Sequence, residues 1–216
     1  GNHPYGLDGD VTAWVKESND ADHTISSADG DHVYIYVGMR RGGNNYYALD
    51  VTDRTAPVLK WVIKGGVTAG FEQLGQSWSK PTLTSIEYGT GTKKVLIFGG
   101  GYDTAQDLNP LNTDDTTGRA IFIVDADDGT LLWRAGPTSS NADLELAELT
   151  NSIPSDVRLF DSNFDGHTDR LYVGDMRGQI FRFDLAATTT AMSGTGLRVA
   201  TLGGTTEAEH PRFVYL

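Results

Sequence analysis

Apolar residues along this chain fall in short runs bounded by glycine, aspartate and asparagine, with no sustained helical spacing, which predicts strands joined by turns. Three runs end alike in glycine: VYIYVGMRRGG from Val33, VLIFGGGYD from Val95 and LYVGDMRGQ from Leu171. Each is followed by a second strand that reaches an aspartate: YYALDVTD from Tyr46, AIFIVDADDG from Ala120 and IFRFDLAAT from Ile180. A third strand follows in LKWVIKGG from Leu59, LLWRAG from Leu131 and LRVATLGG from Leu197. Each group is preceded by a further strand-like stretch: DVTAWVKE from Asp10, PTLTSIEY from Pro81 and SDVRLFDS from Ser155.

Three copies of a four-strand unit, at the repeat length of propeller blades, predict an all-β chain of β-propeller type. The expected blades cover residues 10–66, 81–136 and 155–203, and PRFVYL, residues 211–216, is expected to begin another strand. Propellers close with about four to eight blades. The chain is therefore expected to be part of a larger ring, the alternative being units packed as a different sandwich. Two long insertions interrupt the repeat. ADLELAELTNSI, from Ala142, has leucines that only loosely fit a helical face and reads as a loop with at most one turn. YDTAQDLNPLNTDDTTG, from Tyr102, is polar and broken by Pro110.

One turn carries a readable geometry. In IFIVDADDGTLLW, Asp125, Gly129 and Trp133 are spaced so that the aspartate ends a strand, the glycine takes a positive φ in the turn, and the tryptophan returns to pack on the neighbouring blade. YYALDVTDRTAPVLKW, ending at Trp61, repeats this around a proline. The pattern resembles the tryptophan-docking turns of quinoprotein propellers, a group that includes calcium- and quinone-dependent alcohol dehydrogenases. Those enzymes use ring-centre carboxylates and a vicinal cysteine pair. This chain has no cysteine, so no catalytic residues and no quinone site are expected and the turns read as scaffold.

Composition narrows the rest. A formal charge of -12 argues against a nucleic-acid partner, which needs a basic face. No apolar run approaches the ~20 residues of a membrane-spanning helix. The acidic residues do crowd in one place: DSNFDGHTD, from Asp161, runs directly into strand-like sequence. Set against the calcium loop of an EF-hand, Asp161, Asn163 and Asp165 fill oxygen positions one, three and five, and Gly166 fills the sharp-turn position. His167 then offers its backbone carbonyl, and Asp169 supplies the closing carboxylate in place of a later glutamate. Hard oxygen donors in a flexible loop suit calcium better than zinc or magnesium. LDGD, NDADH, ADGDH and NTDDTTG lack this register and read as turns.

GGNNYYALDVTD from Gly42, LGQSWSKPTL from Leu74, VLIFGGGYD, AIFIVDADDGTLLW and the calcium-type loop together resemble the C-terminal propeller of the type IV pilus biogenesis and tip-adhesin family known as PilY/PilC. The resemblance implies a catalytically inert, quinoprotein-like propeller with one calcium loop whose occupancy governs pilus extension against retraction. It implies pilins or minor pilins, and a host-cell receptor, as partners. It also implies a place at the surface of a Gram-negative-type bacterium, associated with the pilus or outer membrane. Two other readings remain: an integrin-like FG-GAP adhesion propeller, whose loops are similar but recur in several blades, and a quinone-dependent dehydrogenase.

Overall fold

The computed structural model describes residues 5–18, 24–107 and 114–204. The expected strand at 211–216 and the NDADH cluster lie outside the described residues, as does part of the loop around Pro110. Alternating strand-formers build β1 (Thr12–Lys16), β2 (His32–Gly38), β3 (Asn45–Asp50) and β4 (Val58–Lys64), paired antiparallel in that order as the first sheet. The second sheet runs β5 (Thr82–Tyr88), β6 (Gly91–Gly99), β7 (Ile121–Asp125), β8 (Leu131–Gly136) and β9 (Leu144–Glu145). The third runs β10 (Arg158–Phe160), β11 (Arg170–Gly174), β12 (Gln179–Ala187) and β13 (Met192–Thr201). The first four strands of each sheet form an up-and-down meander in sequence order, as the repeat predicts for propeller blades, and the second sheet adds β9.

The apolar pattern explains why three sheets stack. In the middle sheet, VLIF and IFIV are apolar at every position because both faces are covered. Val95, Ile97, Ile121 and Ile123 face the third sheet and join Leu171, Val173, Phe181 and Phe183 in one core. Leu96, Phe98, Phe122 and Val124 face the first sheet and meet Tyr34, Tyr36, Tyr46 and Ile63 in the other. The aromatic pairs Tyr46–Phe98 and Phe98–Phe122 cross that second core at centroid distances of 4.3 and 5.7 Å.

The tryptophans lock sheet to sheet. Gly129 has φ +76°, and Asp125 Oδ1 accepts the Asp127 N–H at 2.9 Å to close the turn. The Trp61 indole lies on that glycine so closely that an added Cβ would sit 2.8 Å from Trp61 Cδ2. Its Nε1–H donates to the Ala126 carbonyl at 3.4 Å. Trp133 repeats the move one sheet on, covering Gly194 of β13 and meeting Phe183 edge-on at 6.2 Å. The third member of the series is Leu197: it pairs with Arg182 as Trp61 pairs with Ala48 and Trp133 with Ile123, each partner lying two residues before Asp184, Asp50 or Asp125. Leu197 is 48% exposed.

A polar clamp reinforces the first junction. Asp127, in the β7–β8 turn, accepts Lys16 Nζ at 2.5 Å and Lys60 Nζ at 2.7 Å, both from the first sheet. Burial opposes its charge, yet the two ammonium groups hold its carboxyl below the usual range. Gly129→Ala should lower stability by about 2 kcal/mol, from the left-handed backbone and the overlap with Trp61 together. The urea midpoint reads this directly, and an unchanged midpoint would mean the turn relaxes away from the indole.

The segment from Ala142 is the expected loop with one turn, closed by the Leu149 N–H donating to the Leu146 carbonyl at 3.1 Å, but it also holds a short strand. Leu144–Glu145 forms the short strand β9, parallel to β8, with Ala135 opposite Leu144 and Gly136 opposite Glu145. Arg134 draws the chain back, donating through Nη2 to the Ser140 and Asn141 carbonyls at 3.1 and 2.9 Å. The side chains of Leu144 and Leu146 then share one face at strand period and pack on the core. β13 also starts earlier than Leu197, at Met192.

Candidate metal centre

The acidic hook, residues 161–169, joins β10 to β11 across the register pair Phe160–Arg170. Asp161 organises it. Its Oδ1 accepts the N–H groups of Phe164 and Asp165 at 2.7 and 3.2 Å, and its Oδ2 accepts that of Gly166 at 2.8 Å. Three amide donors on one carboxylate bend the chain sharply. Phe164 consequently sits at φ +63° and Gly166 at φ +90°. The glycine takes that backbone freely, whereas the phenylalanine does so against its own preference and leaves its ring in water.

The remaining predicted residues are held beside it. Asn163 Nδ2 donates to Asp165 Oδ2 at 2.8 Å, and Asp165 Oδ1 accepts the His167 N–H at the same distance. Asp169 accepts the Ser162 N–H at 2.9 Å and its hydroxyl at 2.6 Å, closing the hook at its far end. The Asp169 carbonyl accepts the Leu185 N–H at 2.7 Å, which ties the hook to β12. Thr168 ties it to the second sheet: its N–H donates to the Ser85 carbonyl at 2.8 Å, and its hydroxyl lies 2.7 Å from that of Thr84.

Asn163, Asp165, His167 and Asp169 border one cleft of about 20 Å³, room for a single ion or water. Asp161 does not line it. As they stand, no three His, Cys, Asp or Glu side chains among the described residues are gathered closely enough to hold a metal. The donor chemistry nevertheless fits a hard cation: carboxylates, one amide oxygen and a free carbonyl, with no sulfur. The His167 Nδ1 is buried without a hydrogen-bond partner, which leaves the imidazole as packing rather than as a link in the network. Glu87, on β5, borders the same cleft from the second sheet. No sequence spacing connects it to the hook; only the stacking of sheets brings it there.

Behind the hook, Arg170 Nε donates to Asp184 Oδ1 at 2.7 Å, and Arg182 Nη2 reaches the same oxygen at 2.8 Å. Burial disfavours the Asp184 anion, but the two guanidinium groups keep its carboxyl below the ordinary range. The base of the hook is thereby fixed on both strands that follow it.

A family model described as the PilY1 beta-propeller domain matches residues 1–202. The chain belongs to the PilY1 β-propeller family. The type IV pilus biogenesis factor PilY1 of Pseudomonas aeruginosa strain PAO1 is 31% identical over 159 residues, covering 72% of this chain and 12% of that protein. Its counterpart in strain UCBPP-PA14 is 30% identical over 173 residues, 79% of this chain and 13% of that protein. A PilY1 homologue of Xylella fastidiosa is 28% identical over 181 residues, 84% of this chain and 12% of that protein. This chain thus spans only a small part of the PilY1 proteins it matches. The crystal structure of the P. aeruginosa PilY1 C-terminal domain superposes with a TM-score of 0.56 at 28% identity, over 82% of this chain and 30% of that one. The PilY1-type propeller is therefore the fold of this chain as well as its family. Among the described residues, no helix is long and apolar enough to cross a membrane.

Proposed function

We propose that this PilY1-type propeller serves a type IV pilus assembly or tip protein, and that its 161–169 hook takes one calcium ion. The observation that carries the calcium reading is the ion-sized cleft bordered jointly by Asn163, Asp165, His167 and Asp169. The side chains of Asp161, Asn163, Asp165 and Asp169 and the carbonyl of His167 would hold the ion. Glu87 stands by as a further carboxylate from the adjacent sheet. Binding would draw these groups off their present N–H and hydroxyl partners, and the ion would supply the positive charge their crowding lacks.

The hook spans two sheets, so its occupancy acts on a junction. With calcium bound, the Thr168–Ser85 contact and the Asp169–Leu185 contact are held by a neutralised loop. Without it, the carboxylates repel and the junction between second and third sheets loosens. A propeller whose stiffness follows calcium in this way would bias pilus extension against retraction and support adhesion, with pilins or minor pilins and a host-cell receptor as partners. Its place would be the surface of a Gram-negative-type bacterium, associated with the pilus or outer membrane.

Calcium titrated calorimetrically into the full-length protein should bind at one site with micromolar-order affinity, as expected for a loop of about three carboxylates. Asp165→Ala should abolish that binding, and Glu87→Gln should weaken it severalfold. Binding that survives Asp165→Ala would place the ion elsewhere.

A further inference from the structure

The sheets carry a second concavity at their other end. In an up-and-down sheet, the connection after the first strand and the connection after the second lie at opposite ends. The hook belongs to the first kind. The β2–β3, β6–β7 and β11–β12 connections belong to the second, and they meet around a pocket of about 460 Å³.

Its wall is built by close backbone approach. Gln76 and Tyr102 form an antiparallel bridge, each N–H donating to the other's carbonyl at 2.9 Å. That approach requires glycines on both sides: a Cβ at Gly101 would lie 2.1 Å from the Gln76 oxygen, and one at Gly75 would lie 2.5 Å from the Tyr102 oxygen. The GGG of the second repeat therefore serves this wall as well as the strand end. Ser77, buried, ties in the first sheet by accepting the Met39 N–H at 2.8 Å and donating to the Asn45 carbonyl at 2.8 Å.

On this frame stand two aromatic rings and a few oriented polar groups. Trp78 and Tyr102 meet edge-on at 6.4 Å. Trp78 Nε1–H donates to Gln76 Oε1 at 3.2 Å, which leaves the Gln76 amide N–H groups as donors. Tyr102 donates its hydroxyl to Asp107 Oδ1 at 2.7 Å, which leaves Asp107 Oδ2 as an acceptor. The Arg41 guanidinium lies 5.8 Å from the centre of the Tyr5 ring. Met176 closes the apolar side.

We propose that this pocket binds carbohydrate: a neutral pyranose ring laid against Trp78 and Tyr102, its adjacent hydroxyls shared between Asp107 and Arg41. Three features select that class. Aromatic faces are electron-rich and attract the polarised C–H face of a sugar. A carboxylate acceptor beside guanidinium donors matches hydroxyls, each of which donates and accepts. Among the described residues, one acidic and one basic side chain line the pocket, and the Arg40 guanidinium near Trp78 is paired with Asp10 at 3.4 Å, so the charges offset each other, which favours a neutral ligand over an anion. The volume falls in the usual range for small-ligand sites and exceeds one pyranose ring. This site is separate from the calcium hook and does not depend on it.

The test uses the full-length protein with chelator present throughout, so that the hook plays no part. Glucose, galactose, mannose and N-acetylglucosamine, with their β1,4-linked disaccharides, are titrated by calorimetry and by saturation-transfer NMR. At least one should bind saturably, with saturation arriving at its ring C–H protons. Asp107→Ala should weaken that sugar about tenfold or more, the loss expected for a hydrogen bond to a charged group, while the thermal melt stays in place because Asp107 is exposed. Trp78→Ala should do the same. Absence of saturable binding by every one of these sugars, or binding that Asp107→Ala leaves intact, would overturn the proposal.

Discussion

Trp133→Ala should lower the unfolding free energy by about 3–5 kcal/mol, the range for deleting a fully buried tryptophan. Trp133 is 1% exposed, and its indole closes the space between Gly194 and Phe183. The glycine has no side chain with which to fill the void, and Phe183 is held by its own strand, so the cavity cannot collapse. Trp61→Ala should cost clearly less, because that indole is only half-buried and shares its junction with the Lys16–Asp127–Lys60 clamp. Chemical denaturation of the two variants side by side decides the matter. Equal losses would mean that the two tryptophans are not graded by burial and that the sheets do not depend on the second indole in the way described.

The second large effect is a dependence on pH in the direction opposite to ordinary acid denaturation. Asp175 is fully buried in the β11–β12 turn, and burial, with the Asp115 charge adding to it, pushes its carboxyl up to about 6. The N–H groups of Gln179 and Arg177 and the Gln179 side-chain amide oppose this displacement but do not cancel it. The unfolded chain releases that proton near 3.8, the folded chain near 6. Between these values the folded state holds the extra proton, so stability falls as pH rises through the window and levels off above it. Once both states are ionised, the accumulated loss comes to about 3 kcal/mol. Below the window the sign reverses: Asp31, Asp50, Asp103 and Asp184 have depressed values, and the stability they contribute is lost on acidification. Urea midpoints taken between about pH 4 and 7, with chelator and at constant ionic strength, should decline with rising pH. Asp175→Asn should flatten that decline. A midpoint that rises across the same range would show that Asp175 ionises freely in the fold.

The repeat was legible because its information is local. Short apolar runs, the glycines that end them and the spacing from Asp125 to Trp133 are all contained within a few residues, and the three sheets follow them. What was hidden depends on distant partners. β9 exists because Arg134 gathers the carbonyls of residues 140 and 141, which no apolar pattern announces. The start of β13, MSGTG, reads as loop since glycine weakens strands. Yet a Cβ at Gly194 would strike Trp133, and one at Gly196 would come within 2.8 Å of Phe183, so these glycines are spaces for rings on the neighbouring elements. The acidic clusters show the same limit. ADGDH and NTDDTTG read as turns, and nothing within them announces that Asp31 and Asp115 are buried and cap backbone N–H groups of Ser18, Ser26 and Ser152. At the hook, the run of oxygen-bearing side chains was readable in the sequence, and so was the glycine of the sharp turn. Glu87 was not, and neither was the use of Asp161 as a three-fold cap.

The tryptophan series also gives the stack a direction. The middle sheet receives the Trp61 indole of the first on one flank and extends Trp133 toward the third from the other, so its two flanks are unlike and complementary. At the third sheet the extended residue is Leu197, left with Val199 facing solvent. Surfaces of this kind join head to tail and do not mate with their own copies across a two-fold axis. An arc of such sheets left uncapped at that flank would therefore string into open chains as concentration rises, and a charged residue at position 197 would keep it single.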